Sequence, residues 1–228
     1  MRPNRYLCRM KPQAVIFDMD GLLIDSEPLW HEAAAEVFQA YGIQLSEEEY
    51  RSTTGMRSRE FVEWWFARKN VPAGDAANAN LLICRNVIEK VRLRGRALPG
   101  IPHIFNFFIS KKFPIGLASS SPEELIDVVV DKLGIRAHLK AITSAAALPH
   151  GKPHPQVYLN CAEQLGCAPA ACIAFEDSFP GLIAAKAAGM KCVIVPSAHD
   201  SKDLRFHAAD LKISSLQNFN ELLMQTLP

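Results

Sequence analysis

The chain has 228 residues, a formal net charge of +1 and 49% hydrophobic residues. This length is sufficient for one core domain and an inserted segment. The charge is close to balanced and no basic stripe is sustained, so nucleic acid and anionic membranes are excluded as expected partners. No apolar run approaches the length of a membrane span.

Residues 1–13 are predicted to form a loose N-terminal tail, because they carry several basic side chains and lack the apolar middle of a signal peptide. The six cysteines show no metal-ligand spacing, and Cys84, Cys172 and Cys192 lie within apolar runs, as buried reduced thiols do. We therefore expect a cytoplasmic protein without disulfide bonds, and a monomer as the default state.

The first predicted strand spans residues 14–17 and is followed by Asp18 and Asp20. An apolar run that enters from polar sequence and leaves through a glycine is typical of a buried strand ending in a turn. Two carboxylates at such a strand end can hold a hard metal ion and can supply both a nucleophile and a proton carrier. Taken alone, the Asp-x-Asp pattern also fits a solvated turn, so its interpretation depends on the rest of the chain.

Residues 28–97 carry helix signals and no convincing strand. Ser26 is a candidate helix cap with Pro28 in the first turn, and Ser46 with Glu49 forms a capping-box pattern. Apolar side chains then recur at helical spacing at Phe61, Val62, Trp65 and Phe66, and again at Leu81, Cys84, Ile88 and Val91. This pattern predicts a separate all-helical domain inserted into the core, in which Trp64 and Trp65 belong to the packed interior.

The second predicted strand, residues 115–118, ends at Ser119 and Ser120, and Pro122 then opens a helix with an acidic first turn. Hydroxyl and backbone N–H groups at a helix N-terminus form an anion site suited to phosphate. The same serines also fit an ordinary helix cap.

Two further motifs lie later in the predicted core. Lys152 stands between Gly151 and Pro153, where a restricted backbone allows its ammonium to be aimed at a phosphate or a carboxylate. Glu176 and Asp177 follow the strand predicted at 172–175, which provides a second carboxylate-bearing strand end. A Mg²⁺ site assembled from separate strands needs such a second strand end.

Strands and helices alternate over most of the chain. Strands are predicted at 14–17, 115–118, 141–144, 172–175 and 192–195, and helices near 101–112, 122–133, 155–165 and 180–188. The alternation predicts an α/β fold with a Rossmann-like three-layer core and a parallel sheet, built from residues 14–27 and 98–228. Ligands in such folds lie at the carboxyl ends of the strands, so the four motifs are expected to meet at one site.

With these motifs the chain resembles the haloacid dehalogenase (HAD) superfamily in its phosphatase branch. Phe17-Asp18-Met19-Asp20-Gly21 is similar to the first motif of that superfamily, and the later motifs follow in order at Leu117-Ala118-Ser119, Lys152 and Glu176-Asp177. The resemblance covers about residues 13–222. The longer strings from Phe17 to Trp30 and from Gly151 to Leu159 resemble more narrowly the bacterial phosphatases of hexitol phosphates and of 2-deoxyglucose 6-phosphate.

The resemblance implies a role for each motif residue. Asp18 would attack phosphorus to give an aspartyl-phosphate, and Asp20 would protonate the leaving oxygen and then activate water. Mg²⁺ would be held by the carboxylates of Asp18 and Asp177 and the backbone carbonyl of Asp20, with Glu176 accepting a hydrogen bond from a metal-bound water. The transferring phosphoryl group would be held by Ser119, the Ser120 backbone N–H and Lys152.

The helical insertion resembles the small cap of this superfamily, which closes over the site and contacts the substrate. Arg57 is a candidate contact for phosphate or hydroxyl groups, and Glu27 and Trp30 near the first hinge are candidates for touching a sugar. The hinges are expected near residues 24–28 and 96–100.

Three alternatives stay open. The β-phosphoglucomutases resemble the chain in all four motifs but carry a histidine twelve residues after the nucleophile, where this chain has Trp30 beside His31. Neighbouring helical residues point about 100° apart, so His31 is not expected to replace that histidine, which favours hydrolysis.

Phosphatases of pseudouridine 5′-phosphate or phosphoglycolate share the same opening motif. A non-catalytic binding module would have little physical reason to hold Asp18, Asp20, Lys152 and Asp177 together.

Overall fold

The computed structural model of the protein describes residues 11–228. Residues 1–10 of the predicted tail, with Cys8, lie outside the described residues. Close to its start the described chain already joins the core, since the backbone N–H of Gln13 donates to the carbonyl of Ala171 at 2.7 Å.

Among the described residues, a six-stranded parallel sheet forms the centre of the protein, in the order β3-β2-β1-β4-β5-β6. The strands are β1 (Ala14–Phe17), β2 (Ile115–Ser119), β3 (Leu139–Ser144), β4 (Cys172–Glu176), β5 (Lys191–Ile194) and β6 (Leu211–Lys212). The five predicted strands are present, with ends that differ by at most two residues. The prediction missed β6, because a two-residue edge strand is too short to carry an apolar pattern.

The helices of the described chain are α1 (Glu27–Gln39), α2 (Glu47–Arg51), α3 (Ser58–Arg68), α4 (Ala76–Arg94), α5 (Ile101–Ser110), α6 (Glu123–Lys132), α7 (Gln156–Gln164), α8 (Phe179–Ala187) and α9 (Glu221–Thr226). Side chains of β1 alternate between two apolar layers: Val15 and Phe17 join the layer of α5 and α6, and Ala14 and Ile16 join that of α7 and α8. Successive side chains of a strand point to opposite faces of the sheet. The predicted three-layer α/β core is confirmed.

Helices α1 to α4 lie between β1 and β2 in the chain and form the predicted helical cap. Helix α4 packs against α1 and α3 and also against α6 of the core. The interior of the cap is made by buried apolar side chains, among them Val37, Phe38, Val62, Phe66, Ile83, Val87 and Val91. Ser46 and Glu49 make the capping box at the start of α2, as their spacing predicts.

The apolar face of the cap differs from the prediction at two positions. Leu81 is 57% exposed, although the helical spacing placed it with the buried side chains of α4. Trp65 is buried as predicted, but the neighbouring Trp64 is 44% exposed and lies against the Arg68 guanidinium, 4.5 Å from the ring centre. Spacing defines the direction of a packed face, whereas the position of its edge depends on the neighbouring helices.

The cysteines between residues 11 and 228 are all free, and Cys84, Cys161, Cys172 and Cys192 are buried. Burial raises the pKa of Cys161 and Cys172 to about 12, so these thiols stay protonated near neutral pH. In the same part of the chain, no helix combines the length and apolar character needed to cross a membrane.

Candidate active site

Three neighbouring strands bring the sequence motifs to one edge of the sheet. Asp18 directly follows β1, Ser119 ends β2 and Glu176 ends β4. In the sheet, Phe17 of β1 pairs with Leu117 of β2 on one side and with Phe175 of β4 on the other. Since parallel neighbours end at the same edge, the motif side chains converge there.

Lys152 lies at the centre of this convergence, with its side chain only 1% exposed. Its Nζ donates to Asp18 Oδ1 at 2.5 Å, to Glu176 Oε1 at 2.6 Å and to the Ala118 carbonyl at 3.0 Å. Burial alone lowers the pKa of Lys152, but the negative charges of Asp18 and Glu176 outweigh burial and raise it. The ammonium therefore stays charged and fixes the Asp18 carboxylate at the end of β1.

Glu176 is held by several donors besides Lys152. Its Oε1 also accepts the Tyr158 hydroxyl at 2.6 Å, and its Oε2 accepts the Ser178 hydroxyl at 3.1 Å and the Asp177 backbone N–H at 3.2 Å. Both carboxylate oxygens are thus engaged by the protein. Glu176 is placed to orient Lys152 and the loop after β4.

The carboxylates of Asp18, Glu176 and Asp177 offer oxygen atoms that lie within 4.8 Å of one another. Burial, reinforced by neighbouring carboxylates, raises the pKa of Asp177 well above its usual value. Burial likewise raises the pKa of Asp18, and the opposing charge of Lys152 compensates only in part. A divalent cation would remove this repulsion, and carboxylate oxygens are the ligands that hard cations prefer. The residues present therefore fit a divalent metal ion.

Asp20 accepts hydrogen bonds on both carboxylate oxygens. Oδ1 accepts the Ser26 hydroxyl at 2.6 Å and the Trp30 indole N–H at 3.2 Å. Oδ2 accepts the Ser121 hydroxyl at 2.7 Å and the Ser119 hydroxyl at 3.4 Å. Ser26 was predicted to cap α1, but its hydroxyl binds Asp20 and makes no cap hydrogen bond. Donors from both cap and core thus fix the orientation of this carboxylate.

A cavity of about 80 Å³ lies between the core motifs and the cap. The cap side is lined by Glu27, Trp30 and His31 of α1 and by Tyr50 of α2. The core side is lined by Asp18, Asp20, Ser120, Lys152 and Asp177, whereas Ser119 and Glu176 lie behind them, fully buried. His31 stacks on Tyr50 with ring centres 4.3 Å apart, and its Nε2 lies 3.6 Å from Glu27 Oε2. The cap therefore presents polar and aromatic groups to whatever occupies the site.

Electrostatics distinguish Glu27 from His31 in this cap wall. Burial, with the charges of Asp20, Asp200 and Asp25, raises the pKa of Glu27 to about 7. Burial also lowers the pKa of His31, which favours a neutral imidazole. Near neutral pH, this wall can therefore both donate and accept hydrogen bonds.

A family comparison agrees with this geometry. The family model described as haloacid dehalogenase-like hydrolase matches residues 12–189. The chain belongs to this family. The predictions of a haloacid dehalogenase-like chain and of an enzyme of the phosphatase kind are confirmed.

Curated relatives and solved structures extend the comparison. The chain is 40% identical over 204 residues to Hexitol phosphatase B of Escherichia coli K12, which covers 89% of this chain and 92% of that protein. It is 32% identical over 197 residues to the Phosphorylated carbohydrates phosphatase of Thermotoga maritima, covering 84% and 89%. A crystal structure of β-phosphoglucomutase from Clostridium difficile superimposes with a TM-score of 0.83 at 24% identity, over 94% of this chain and 96% of that one. This last likeness concerns the fold alone.

In this haloacid dehalogenase-like hydrolase, the structure brings two of three predicted ligand-binding residues, Glu27, Ser120 and Arg57, to the cavity and leaves Arg57 outside it. Glu27 lines the cavity, as expected for a substrate contact. The Arg57 side chain is only 2% exposed and donates to the backbone carbonyls of Ala145 and Leu148, so it is directed into the cap–core contact and is not among the cavity-lining residues. Ser120 lines the cavity while its hydroxyl donates to the Gly55 carbonyl at 3.2 Å.

Sequence reasoning missed three contributors to the site. No role is predicted for Ser121 from the sequence, yet its hydroxyl makes one of the shorter hydrogen bonds to Asp20. Tyr158 reads as an apolar position of α7, and only the fold shows that its hydroxyl reaches Glu176. The sequence predicts for His31 only that it does not replace the mutase histidine, whereas the structure places it in the cavity against Tyr50 and Glu27.

Proposed function

We propose that the protein is a Mg²⁺-dependent phosphatase that hydrolyses monophosphates of small sugars or polyols through an aspartyl-phosphate on Asp18. The observation that carries the proposal is the buried contact of Lys152 with Asp18 and Glu176 at the bottom of the cavity, with Asp20 fixed by donors beside it. This combination offers a nucleophile, a proton carrier and a fixed positive charge within one small volume.

In the proposed reaction the Asp18 carboxylate attacks phosphorus, and Lys152, the Ser119 hydroxyl and the Ser120 backbone N–H stabilise the charge on the phosphoryl oxygens. Asp20 gives a proton to the leaving oxygen of the sugar. It then takes a proton from the water that hydrolyses the aspartyl-phosphate, so that one carboxyl group serves both half-reactions. Mg²⁺ bound by Asp18, the Asp20 backbone carbonyl and Asp177 would supply further charge stabilisation.

Two observations support a sugar or polyol as the leaving group. The relatives at 40% and 32% identity are named for hexitol and for phosphorylated carbohydrates. The second observation concerns the cavity between the core motifs and the cap. Its wall combines the Tyr50 ring with the hydrogen-bonding groups of Glu27, His31 and Thr54, which suits a compact molecule rich in hydroxyl groups.

The mutase alternative has less support from the geometry. At the position twelve residues after Asp18, where the mutases carry histidine, Trp30 donates its indole N–H to Asp20. The His31 ring is engaged with Tyr50 and Glu27. Other small phosphate esters, such as pseudouridine 5′-phosphate and phosphoglycolate, remain as alternative substrates of the same chemistry.

The test is phosphate release from a panel of esters with Mg²⁺, with EDTA, and with an Asp18→Asn variant. The panel contains 2-deoxyglucose, glucose and mannose 6-phosphates, sorbitol and mannitol phosphates, pseudouridine 5′-phosphate and phosphoglycolate. Turnover concentrated on the sugar and hexitol esters, and lost with EDTA and in the variant, is expected. Turnover of pseudouridine 5′-phosphate or phosphoglycolate alone would overturn the substrate class. In a separate coupled assay, interconversion of glucose 1-phosphate and glucose 6-phosphate would favour the mutase.

A further inference from the structure

One short segment of the cap contacts three loops of the core. In this segment, residues 55–60, the carbonyl of Gly55 accepts the Ser120 hydroxyl at 3.2 Å. A Cβ atom on Gly55 would lie 2.7 Å from the Ser178 hydroxyl oxygen, which shows how closely the backbone approaches the loop after β4. The third contact is made by Arg57 with the loop that follows β3.

Arg57 binds that loop through several backbone carbonyls. Its Nη1 donates to Ala145 at 3.0 Å and also to Leu148, and its Nη2 donates to Pro149 at 3.3 Å. A buried guanidinium is costly unless it is paired, and here Nη2 also donates to the carboxylate of Glu60 one turn along α3. The planar, multi-donor shape of arginine suits such a cluster of carbonyl acceptors.

The ion pair of Arg57 and Glu60 also contacts Gly151, the residue that precedes Lys152. Glu60 carries the negative charge of this pair: its proximity to Arg57 and to the Gly151 backbone offsets burial, so that the pKa of Glu60 is lowered. A Cβ atom on Gly151 would lie 2.6 Å from Arg57 Nε, so the side chain packs directly against the glycine backbone. Arg57 of the cap therefore contacts loop 145–151 at both of its ends, at Ala145 and at Gly151.

The next residue along the chain is Lys152, whose Nζ must reach Asp18 and Glu176 at the same time. We propose that Arg57, with Glu60, is a positioning residue: by fastening loop 145–151 to the docked cap, it sets the position of Lys152 against Asp18. Arg57 thus couples cap docking to the alignment of the nucleophile and does not contact the substrate. This inference rests on the proposed phosphatase function of the same site.

The neighbouring Arg59 provides a matched control. It lies two residues along α3, its side chain is 53% exposed, and its Nε lies 3.8 Å from the exposed Glu63 carboxylate. The variants are Arg57→Ala, Arg57→Lys and Arg59→Ala, each assayed for kcat and KM with two sugar phosphates and with p-nitrophenyl phosphate. Hydrogen exchange of the backbone amides of residues 145–152 and thermal unfolding are measured on the same samples.

For Arg57→Ala we expect kcat to fall by about a hundredfold, because a small displacement of Lys152 spoils the alignment of the reacting groups. The fall is expected to be similar for all three esters, with small changes in KM, and Arg57→Lys should recover part of it because one ammonium cannot satisfy all of the carbonyls. Amide exchange is expected to rise by about tenfold or more at residues 145–152 but not in β1 or β4. Arg59→Ala should match the wild type within about twofold in each measurement.

Two results would overturn the proposal. One is unchanged exchange at residues 145–152 in Arg57→Ala. The other is a loss that appears in KM and differs strongly between esters, which would make Arg57 a substrate contact. If Arg57→Ala does not fold, Glu60→Gln replaces it, with a smaller rise in exchange expected at the same residues and an unchanged exchange counting against the proposal. The exchange measurement needs no turnover, so it tests the coupling even if every ester fails as a substrate.

Discussion

The indole N–H of Trp30 donates to Asp20 Oδ1 at 3.2 Å and so joins the first cap helix to the proposed proton carrier. The same oxygen accepts the Ser26 hydroxyl, which lies immediately before α1. The second oxygen is held from the core by Ser121. The orientation of Asp20 therefore depends on where α1 lies relative to the sheet.

The first prediction concerns this hydrogen bond. Trp30→Phe keeps an aromatic ring but removes the N–H donor, so Asp20 should lose part of its fixed orientation. We expect kcat for the best sugar phosphate to fall by about tenfold, equivalent to about 1.4 kcal/mol of transition-state stabilisation, with little change in KM. Trp64→Phe is the control, because Trp64 is 44% exposed on α3 and does not line the cavity. Equal kcat values for both variants and the wild type would show that the Trp30 donor has no part in catalysis.

The second prediction concerns the packing behind Glu176. A Cβ atom on Gly181 would lie 2.0 Å from the Glu176 carboxyl carbon, so Gly181→Ala must displace that carboxylate from Lys152. We expect a loss of about 1–3 kcal/mol in the free energy of unfolding, and at least about a tenfold fall in kcat. Thermal unfolding and steady-state rates measure the two effects.

Gly74→Ala is the control for this substitution, since nothing lies within 4 Å of the added Cβ atom at that position. Its stability and kcat should match the wild type. A Gly181→Ala protein with wild-type kcat would mean that the contact between Glu176 and Lys152 is not needed for turnover.

The third prediction is a pH dependence of stability that arises from Glu27. The pKa of this group is raised from 4.5 to about 7 in the folded protein, chiefly by burial and then by the charges of Asp20, Asp200 and Asp25. The folded state thus favours the protonated carboxyl, and the resulting stability is present below about pH 4.5 and is lost as the pH rises through about 7. Glu27→Gln stays neutral throughout.

Without metal, Glu27→Gln should therefore gain more in melting temperature over the wild type at about pH 8 than at about pH 5. Scanning calorimetry in EDTA at both pH values measures this difference. The same gain at both pH values would show that Glu27 does not titrate between them in the folded protein.

The sequence predicted the strand ends well, because a buried parallel strand followed by Asp18, Ser119 or Glu176 is visible as a short apolar run with a polar end. It predicted the cap helices from apolar spacing and from the capping box at Ser46. The contacts of residues whose partners lie far away in the chain were harder to predict. The hydroxyl of Ser121 meets Asp20 from 101 residues away, and Arg57 Nη1 meets Ala145 from 88 residues away.

Such contacts have no local signature. The position of Ser26 before a helix with Pro28 in its first turn predicts a helix cap. In the structure the turn after β1 brings the Asp20 carboxylate close, and the Ser26 hydroxyl donates to that carboxylate instead of capping the helix. An arginine at the start of a cap helix is expected to be exposed or to contact a ligand. Only the position of the loop after β3 shows that Nη1 and Nη2 of Arg57 donate to backbone carbonyls.

In the proposed reaction the phosphoryl group passes through Asp18. The most direct measurement is acid quenching of the enzyme during turnover of its best sugar phosphate, followed by mass spectrometry of the peptide that contains Asp18 and Asp20. We expect phosphate on Asp18, at no more than one per chain, that is released by hydroxylamine and absent from the folded Asp18→Asn variant, which should show no turnover. Phosphate release by that variant at a rate near the wild type, with no phosphorylated Asp18 peptide in the quenched enzyme, would contradict the proposed reaction.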